Sequence, residues 1–243
     1  MTLRTESTGG TFLITIDRPE RRNAVDLETL TRMREAIASA RSEAARVVVI
    51  TGAAPAFCSG ADLAGVELGE FTDTLLAVLQ ALVDLPAIVV AAVDGPALGA
   101  GSQIAAACDL RVATPESRFG IPAAKLGLAV DRWTVERVGR EAGWSTARRM
   151  LLTGETFGAG DLLGGFVHRL GDLAEAREWA GELARLAPLT IAAHKAALAV
   201  AGGETTISID ETESARLVAW VSADAAEGRR AFAEKRPPRF EGR

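Results

Sequence analysis

The chain has 243 residues, 48% of them apolar and 24% charged, with a formal net charge of −5. That length builds one domain, or a domain with a small helical appendage, around a substantial core, and the composition is that of an ordinary water-soluble globular protein. The acidic balance argues against general nucleic-acid binding, which needs a basic footprint, and the absence of tyrosine excludes a phenolic acid or nucleophile.

The first ten residues hold no apolar stretch of the kind a secretory signal needs. Thr11–Asp17 alternates as a strand does and ends at the turn signal before Pro19. Leu27–Ala44 has helix-favouring composition with apolar residues at Leu27, Leu30, Met33, Ala36 and Ile37. Val47–Thr51 reads as a buried strand leading into the loop Gly52–Leu63. Phe71–Val83 reads as an apolar helix, and Ala87–Val93 as the next strand. The latter is the longest relevant apolar run and is far too short to span a bilayer. Ile104–Cys108 is helical and Asp109–Ala113 a short strand, so strand–strand–helix units recur in place of strict βαβ alternation. Beyond Asp131 strand signals nearly vanish. Six helices are expected over 132–140, 145–152, 173–186, 190–200, 211–221 and 224–235, with a break at Gly202 and Gly203. Cys58 and Cys108 follow no metal or redox spacing and read as reduced thiols of a cytoplasmic protein.

The most informative stretch is Gly95–Asp131, GPALGAGSQIAAACDLRVATPESRFGIPAAKLGLAVD. Gly99-Ala100-Gly101 is a small-residue turn opening a helix. Such a turn lets backbone N–H groups approach a ligand closely, and the helix dipole favours negative charge there. A second candidate donor lies in the loop Phe57–Leu63. Two backbone donors aimed at one carbonyl oxygen make an oxyanion hole.

Arg18–Ala24, the Cys58–Leu63 loop and Gly95–Gly127 resemble the three signature segments of the crotonase superfamily, the enoyl-CoA hydratases and isomerases. The resemblance is collinear from about Thr11 to Phe240. It implies an α/β fold, a spiral of ββα units over residues 1–187, followed by a C-terminal helical appendage over 188–243 that builds homotrimers or dimers of trimers. It further implies backbone oxyanion donors at Ala61 and Ala100. A ligand acyl-CoA would be contacted by Arg21, Arg22, Ala24, Ser59, Asp62, Leu63, Leu98, Gly99, Gln103, Ile121, Trp133 and Lys235. No separate cofactor and no metal are expected.

Hydration of an enoyl thioester needs one group to activate water and one to deliver a proton to the α-carbon. Family hydratases use two glutamates, whose positions correspond to Gln103 and Ala123 here. Gln103 does not exchange a proton near neutral pH, and Ala123 offers nothing. Each lost contribution is worth about 10² to 10⁴ in rate, so ordinary hydratase activity is not expected. Asp131 stands where isomerase and dehalogenase branches carry a working aspartate, but the reading as N-cap of the following helix is the stronger one, since capping requires no partner. His168 and His194 lack a catalytic constellation, Ser59 and Ser102 lack a paired base, and the two cysteines read as core fillers.

Coenzyme A is polyanionic. By resemblance Arg18, Arg21 and Arg22 flank the nucleotide, and Lys235, Arg236 and Arg239 reach the CoA of a neighbouring subunit; each also reads as solvated basic surface. Leu75, Leu76, Val78, Leu79, Leu82 and Val83 read as core, though the corresponding family helix borders the acyl pocket. Trp133 is expected to wall that pocket. The combination of Gly-Ala-Gly-x-Gln, Leu-Gly-Leu-Ala-x-Asp-x-Trp and Glu-Lys-Arg-Pro-Pro-x-Phe resembles a non-catalytic mycobacterial member of the family that binds long-chain acyl-CoA and connects to fatty-acid synthase enzymes feeding mycolic acids. The sequence therefore points to an acyl-CoA-binding homologue without hydratase activity. The alternatives are an isomerase or hydratase-like enzyme using Asp131, and a structural partner of lipid-synthesis enzymes without CoA affinity.

Overall fold

The computed structural model describes residues 2–62, 68–203 and 207–243. A six-stranded sheet runs in the order β1 (Leu3–Thr8), β2 (Thr11–Ile16), β3 (Val47–Gly52), β4 (Ile88–Val93), β6 (Leu110–Ala113) and β9 (Arg169–Leu170). Only β1 pairs antiparallel; the rest of the sheet is parallel. A smaller sheet joins β5 (Pro96–Leu98), β7 (Arg118–Gly120) and β8 (Thr156–Gly158).

The apolar runs of β3 and β4 are continuous because both faces of the large sheet are covered. Val48 and Ile50 face the main core, while Val47 and Val49 pack under α6 (Leu173–Leu183), whose small residues Ala176 and Ala180 let it sit close. The main core is closed by α1 (Leu27–Ser42), α2 (Leu68–Val83) and α3 (Ala100–Ala107). Asp26 starts α1 by accepting from the Thr29 N–H, the capping its sequence position calls for.

Successive turns of the spiral meet edge to edge. Val25 bridges to Ala61, Cys58 bridges to Ala97, and β5 pairs with β7. These short contacts form the second layer beside the large sheet, so the ββα expectation holds. Beyond β7 come α4 (Arg132–Ala142) and α5 (Trp144–Thr153), then α6. The chain ends in α7 (Pro188–Gly202), α8 (Ile209–Val221) and α9 (Ala223–Glu234). Lys195 pins α7 to the core through Asp109 (2.7 Å) and the carbonyls of Leu82 and Ala87. Among the described residues, no single helix is long and apolar enough to cross a membrane.

Candidate functional site

A cavity of about 190 Å³ opens where three turns of the spiral converge, lined by Ser59–Ala61, Gly99, Ala100, Gln103, Ile121–Ala123, Phe71 and Leu75 among others. The loop carrying Ala61 is fixed on both sides. Ser59 N–H donates to the Arg22 carbonyl (3.0 Å), Val25 N–H to Gly60 (2.9 Å) and Asp62 N–H to Val25 (2.8 Å). On the other side Cys58 N–H donates to Pro96 (3.0 Å), and Leu98 N–H donates back to Cys58 (2.9 Å).

Two glycines permit this approach. Gly99 has φ 51° and ψ −117°, a conformation barred to side chains with a Cβ, and a Cβ built there would lie 3.6 Å from the Cα of Gly60. At Gly101 a Cβ would lie only 2.2 Å from the Cys58 carbonyl oxygen. Ser102 locks the junction by donating to Ala97 O (2.6 Å) and accepting from Gly120 N–H (2.8 Å).

Among the described residues, neither Ala61 N–H nor Ala100 N–H has a hydrogen-bond acceptor. Both residues line the cavity, and Ala100 opens α3 with its dipole pointing the same way. The opposite end of α3 is neutralised by cations. Arg111 donates to Ala105 O and Cys108 O, and Arg137 to Ala106 O and Cys108 O.

Asp131 is the one ionisable side chain among the cavity-lining residues described. It caps α4, accepting from Thr134 N–H (2.9 Å) and from Thr134 Oγ1 (2.7 Å). Thr134 Oγ1 also lies 3.0 Å from Gln103 Oε1, so Gln103, Thr134 and Asp131 form one polar chain. Ala123 presents only a methyl group to the same space.

The sequence profile of the family described as enoyl-CoA hydratase/isomerase matches residues 6–243. The chain belongs to that family. It is 42% identical to the probable enoyl-CoA hydratase echA6 of Mycobacterium leprae, covering 96% of each chain. It is 36% identical to the carnitinyl-CoA dehydratase of Escherichia coli K12, over 97% of this chain and 96% of that protein. Among solved structures, the enoyl-CoA hydratase/carnithine racemase of Magnetospirillum magneticum superposes with a TM-score of 0.90 at 28% identity, covering 100% of this chain and 96% of the other.

In this member of the enoyl-CoA hydratase/isomerase family, the expected ligand contacts divide. Ala61, Ala100, Gly99, Ser59, Gln103, Ile121 and Asp131 come together on the cavity; Leu98 lies just behind it, its N–H spent on Cys58. Trp133 does not line the cavity. Its ring packs against the core and its Nε1 is buried with no partner among the described residues, so Leu126, Leu128, Ala129 and Val130 form the wall instead. Leu63 lies outside the described residues.

Three polar positions have structural duties that spacing alone did not reveal. Arg18 is held by Asp26 (2.8 Å), Asp62 (3.2 Å) and the Ala24 carbonyl, so neither it nor the Asp62 carboxylate is free for a nucleotide. Ala24 N–H is also taken, by Arg21 O. Buried Asn23, at φ 57°, donates to Ala53 O and Ala56 O and accepts from Arg18 N–H, tying the first signature segment to the second. Arg21 and Arg22 remain exposed, with no ion pair among the described residues. At the C-terminus Arg236 is neutralised by Glu227 (2.6 Å) and Glu234 (2.5 Å), and its hydrogen bond pulls the Glu227 carboxyl down to about 2. Lys235 is exposed and has no such partner among the described residues.

The histidines and cysteines stand outside the chemistry. His168 accepts from Arg111 N–H through Nδ1 (3.2 Å), and burial followed by the Arg111 charge pushes it down to about 4. His194 is exposed on α7. Burial pushes both thiols up to about 12. Among the described residues no three metal-ligating side chains cluster.

Proposed function

We propose that this chain binds acyl-CoA thioesters without hydrating them, holding the thioester carbonyl on the backbone N–H groups of Ala61 and Ala100. The observation carrying this reading is the pair of backbone donors on one cavity that have no acceptor among the described residues. A donor left unmet once a ligand has displaced water costs about 1–3 kcal/mol, and a polarised carbonyl oxygen is the partner such a pair suits. Arg21, Arg22, Lys235 and Arg239 are exposed cations of the two basic clusters without an ion pair among the described residues, and they are available to the CoA phosphates, Lys235 and Arg239 across a subunit boundary. Exposed Leu217, Trp220, Val221 and Phe232 on the terminal helices support a trimer built through residues 188–243. Two buried free thiols support a cytoplasmic setting.

The absence of hydration follows from the lining. Gln103 and Ala123 supply no proton, which leaves Asp131 as the one acid–base group described in a lining where family hydratases use two. A cavity of about 190 Å³ exceeds the ~150 Å³ that accommodates benzene, so it takes the thioester and the first few carbons. A long chain would need room beyond it. A one-base double-bond isomerisation is the second reading, favoured by the cavity-lining position of Asp131.

Crotonyl-CoA incubated with wild type, Gln103→Glu and Gln103→Glu/Ala123→Glu tests the proposal. Hydration is expected only from the double variant; robust hydration by wild type overturns it. Double-bond migration in a 3-enoyl-CoA that disappears in Asp131→Asn would establish the second reading. Ala100→Pro, tolerated at a helix start but lacking the N–H, should weaken thioester binding while free CoA binds as before.

A further inference from the structure

Thr134 Oγ1 sits between two oxygens, 2.7 Å from Asp131 Oδ2 and 3.0 Å from Gln103 Oε1. A hydroxyl has one proton, an ionised carboxylate only accepts, and an amide oxygen only accepts. Both contacts cannot be donations from Thr134. The proton goes to the carboxylate, where the bond is charge-assisted. The contact to Gln103 is then satisfied only with the amide turned so that its N–H donates to Thr134 Oγ1. The order becomes Gln103 N–H to Thr134 O–H to Asp131 carboxylate.

The turn has a consequence inside the cavity. Gln103 lines it, and the amide's other terminal atom has no partner among the described residues and is not among the atoms sealed from solvent. That atom is the carbonyl oxygen once the amide is oriented by Asp131. Gln103 lies three residues after Ala100 on the same face of α3, and helical side chains lean toward the N-terminus. The amide oxygen is thereby brought back toward the level of the Ala100 N–H, beside the carbons that follow a bound carbonyl.

We infer that Asp131 acts through Thr134 as a positioning residue, fixing Gln103 as a hydrogen-bond acceptor, and that the cavity prefers thioesters bearing a donor near the carbonyl, the 3-hydroxyacyl class. This rests on the acyl-CoA reading above. A saturated chain leaves the Gln103 oxygen unmet, and a 3-oxo group opposes it with a second acceptor.

The same network predicts its own inversion. In Asp131→Asn, the Asn oxygen keeps the Thr134 N–H, and the Asn amide nitrogen replaces Oδ2 and donates to Thr134 Oγ1. The Thr134 proton is released to Gln103, which turns its NH₂ into the cavity. Asn caps helices as well as Asp does, so the fold is retained.

The test is calorimetric titration of the full chain with butyryl-CoA, each enantiomer of 3-hydroxybutyryl-CoA, and acetoacetyl-CoA. Wild type should bind one hydroxy enantiomer about tenfold more tightly than butyryl-CoA and acetoacetyl-CoA no better than butyryl-CoA. Asp131→Asn should reverse the order of the hydroxy and oxo ligands, and Thr134→Val should bring all ratios near unity. Butyryl-CoA bound, with hydroxy and oxo ligands equal in wild type or their order unchanged in Asp131→Asn, overturns the inference alone. Failure of every thioester to bind overturns the acyl-CoA reading beneath it.

Discussion

Replacing Gly101 with alanine strikes the joint between the two donor loops. The new methyl carbon would lie 2.2 Å from the Cys58 carbonyl oxygen, 3.0 Å from the Cys58 carbonyl carbon and 2.9 Å from its Cβ, where ordinary contact begins at 3.4 Å. Two of those atoms are backbone, and the oxygen already accepts from Leu98 N–H, so no rotamer change relieves the overlap. The helix start and the Cys58–Ala61 loop must separate by about 1 Å, which stretches a normal ~2.9 Å hydrogen bond beyond its useful range. Overpacking of this kind costs about 1–3 kcal/mol in stability. Loss of one carbonyl bond costs about 1 kcal/mol, roughly fivefold to tenfold in affinity. Urea unfolding reads the first, and titration with butyryl-CoA against free CoA reads the second, with the loss confined to the thioester. Gly181→Ala is the control. It lies inside α6 with nothing within 4 Å of the added carbon, so it should stabilise by about 0.5–1 kcal/mol and leave binding alone. Native stability and native butyryl-CoA affinity in Gly101→Ala would refute the proposed coupling of the two loops.

Arg111 is fully buried against Glu141 and the carbonyls of Phe166, Ala105 and Cys108; Arg111→Met should cost about 3–5 kcal/mol in urea unfolding, and a loss under 1 kcal/mol would contradict its assigned role. His168 is held neutral with its pKa at about 4 against 6.5 for the free group, so the unfolded chain binds the proton first. Stability present above about pH 6.5 should decline as pH falls toward about 4. His168→Asn should flatten that decline, and an unchanged slope would assign the loss elsewhere. Cys58 and Cys108 should resist iodoacetamide in the native protein at about pH 8 and react once urea unfolds it; rapid native labelling would contradict their burial.

Much of the frame was legible because its signals are local. The apolar runs of β3 and β4 and the helix periodicity of α1, α2 and the terminal helices sit within a few residues of where the structure places them. The missed elements have physical reasons. Strand β1, LRTEST, is an edge strand with one buried residue, so its pattern is polar. The three-residue strands β5, β7 and β8 are too short for any period to register. In the site, the glycine turn and the capping aspartate were readable from their neighbours. Asn23, Arg111 and Thr134 were not, since each takes its meaning from a partner 30 or so residues away in sequence. Trp133 shows the converse error: two residues from Asp131 in sequence, it turns to the core while Thr134 turns to Gln103.

The central claim, binding without hydration, is tested most directly by one sample of the full chain mixed with crotonyl-CoA, with heat of binding and enoyl absorbance followed together. The account predicts saturable binding with the enoyl absorbance constant over many residence times, and an affinity for crotonyl-CoA about fivefold to tenfold weaker in Ala100→Pro. Loss of the enoyl absorbance with formation of 3-hydroxybutyryl-CoA would contradict it.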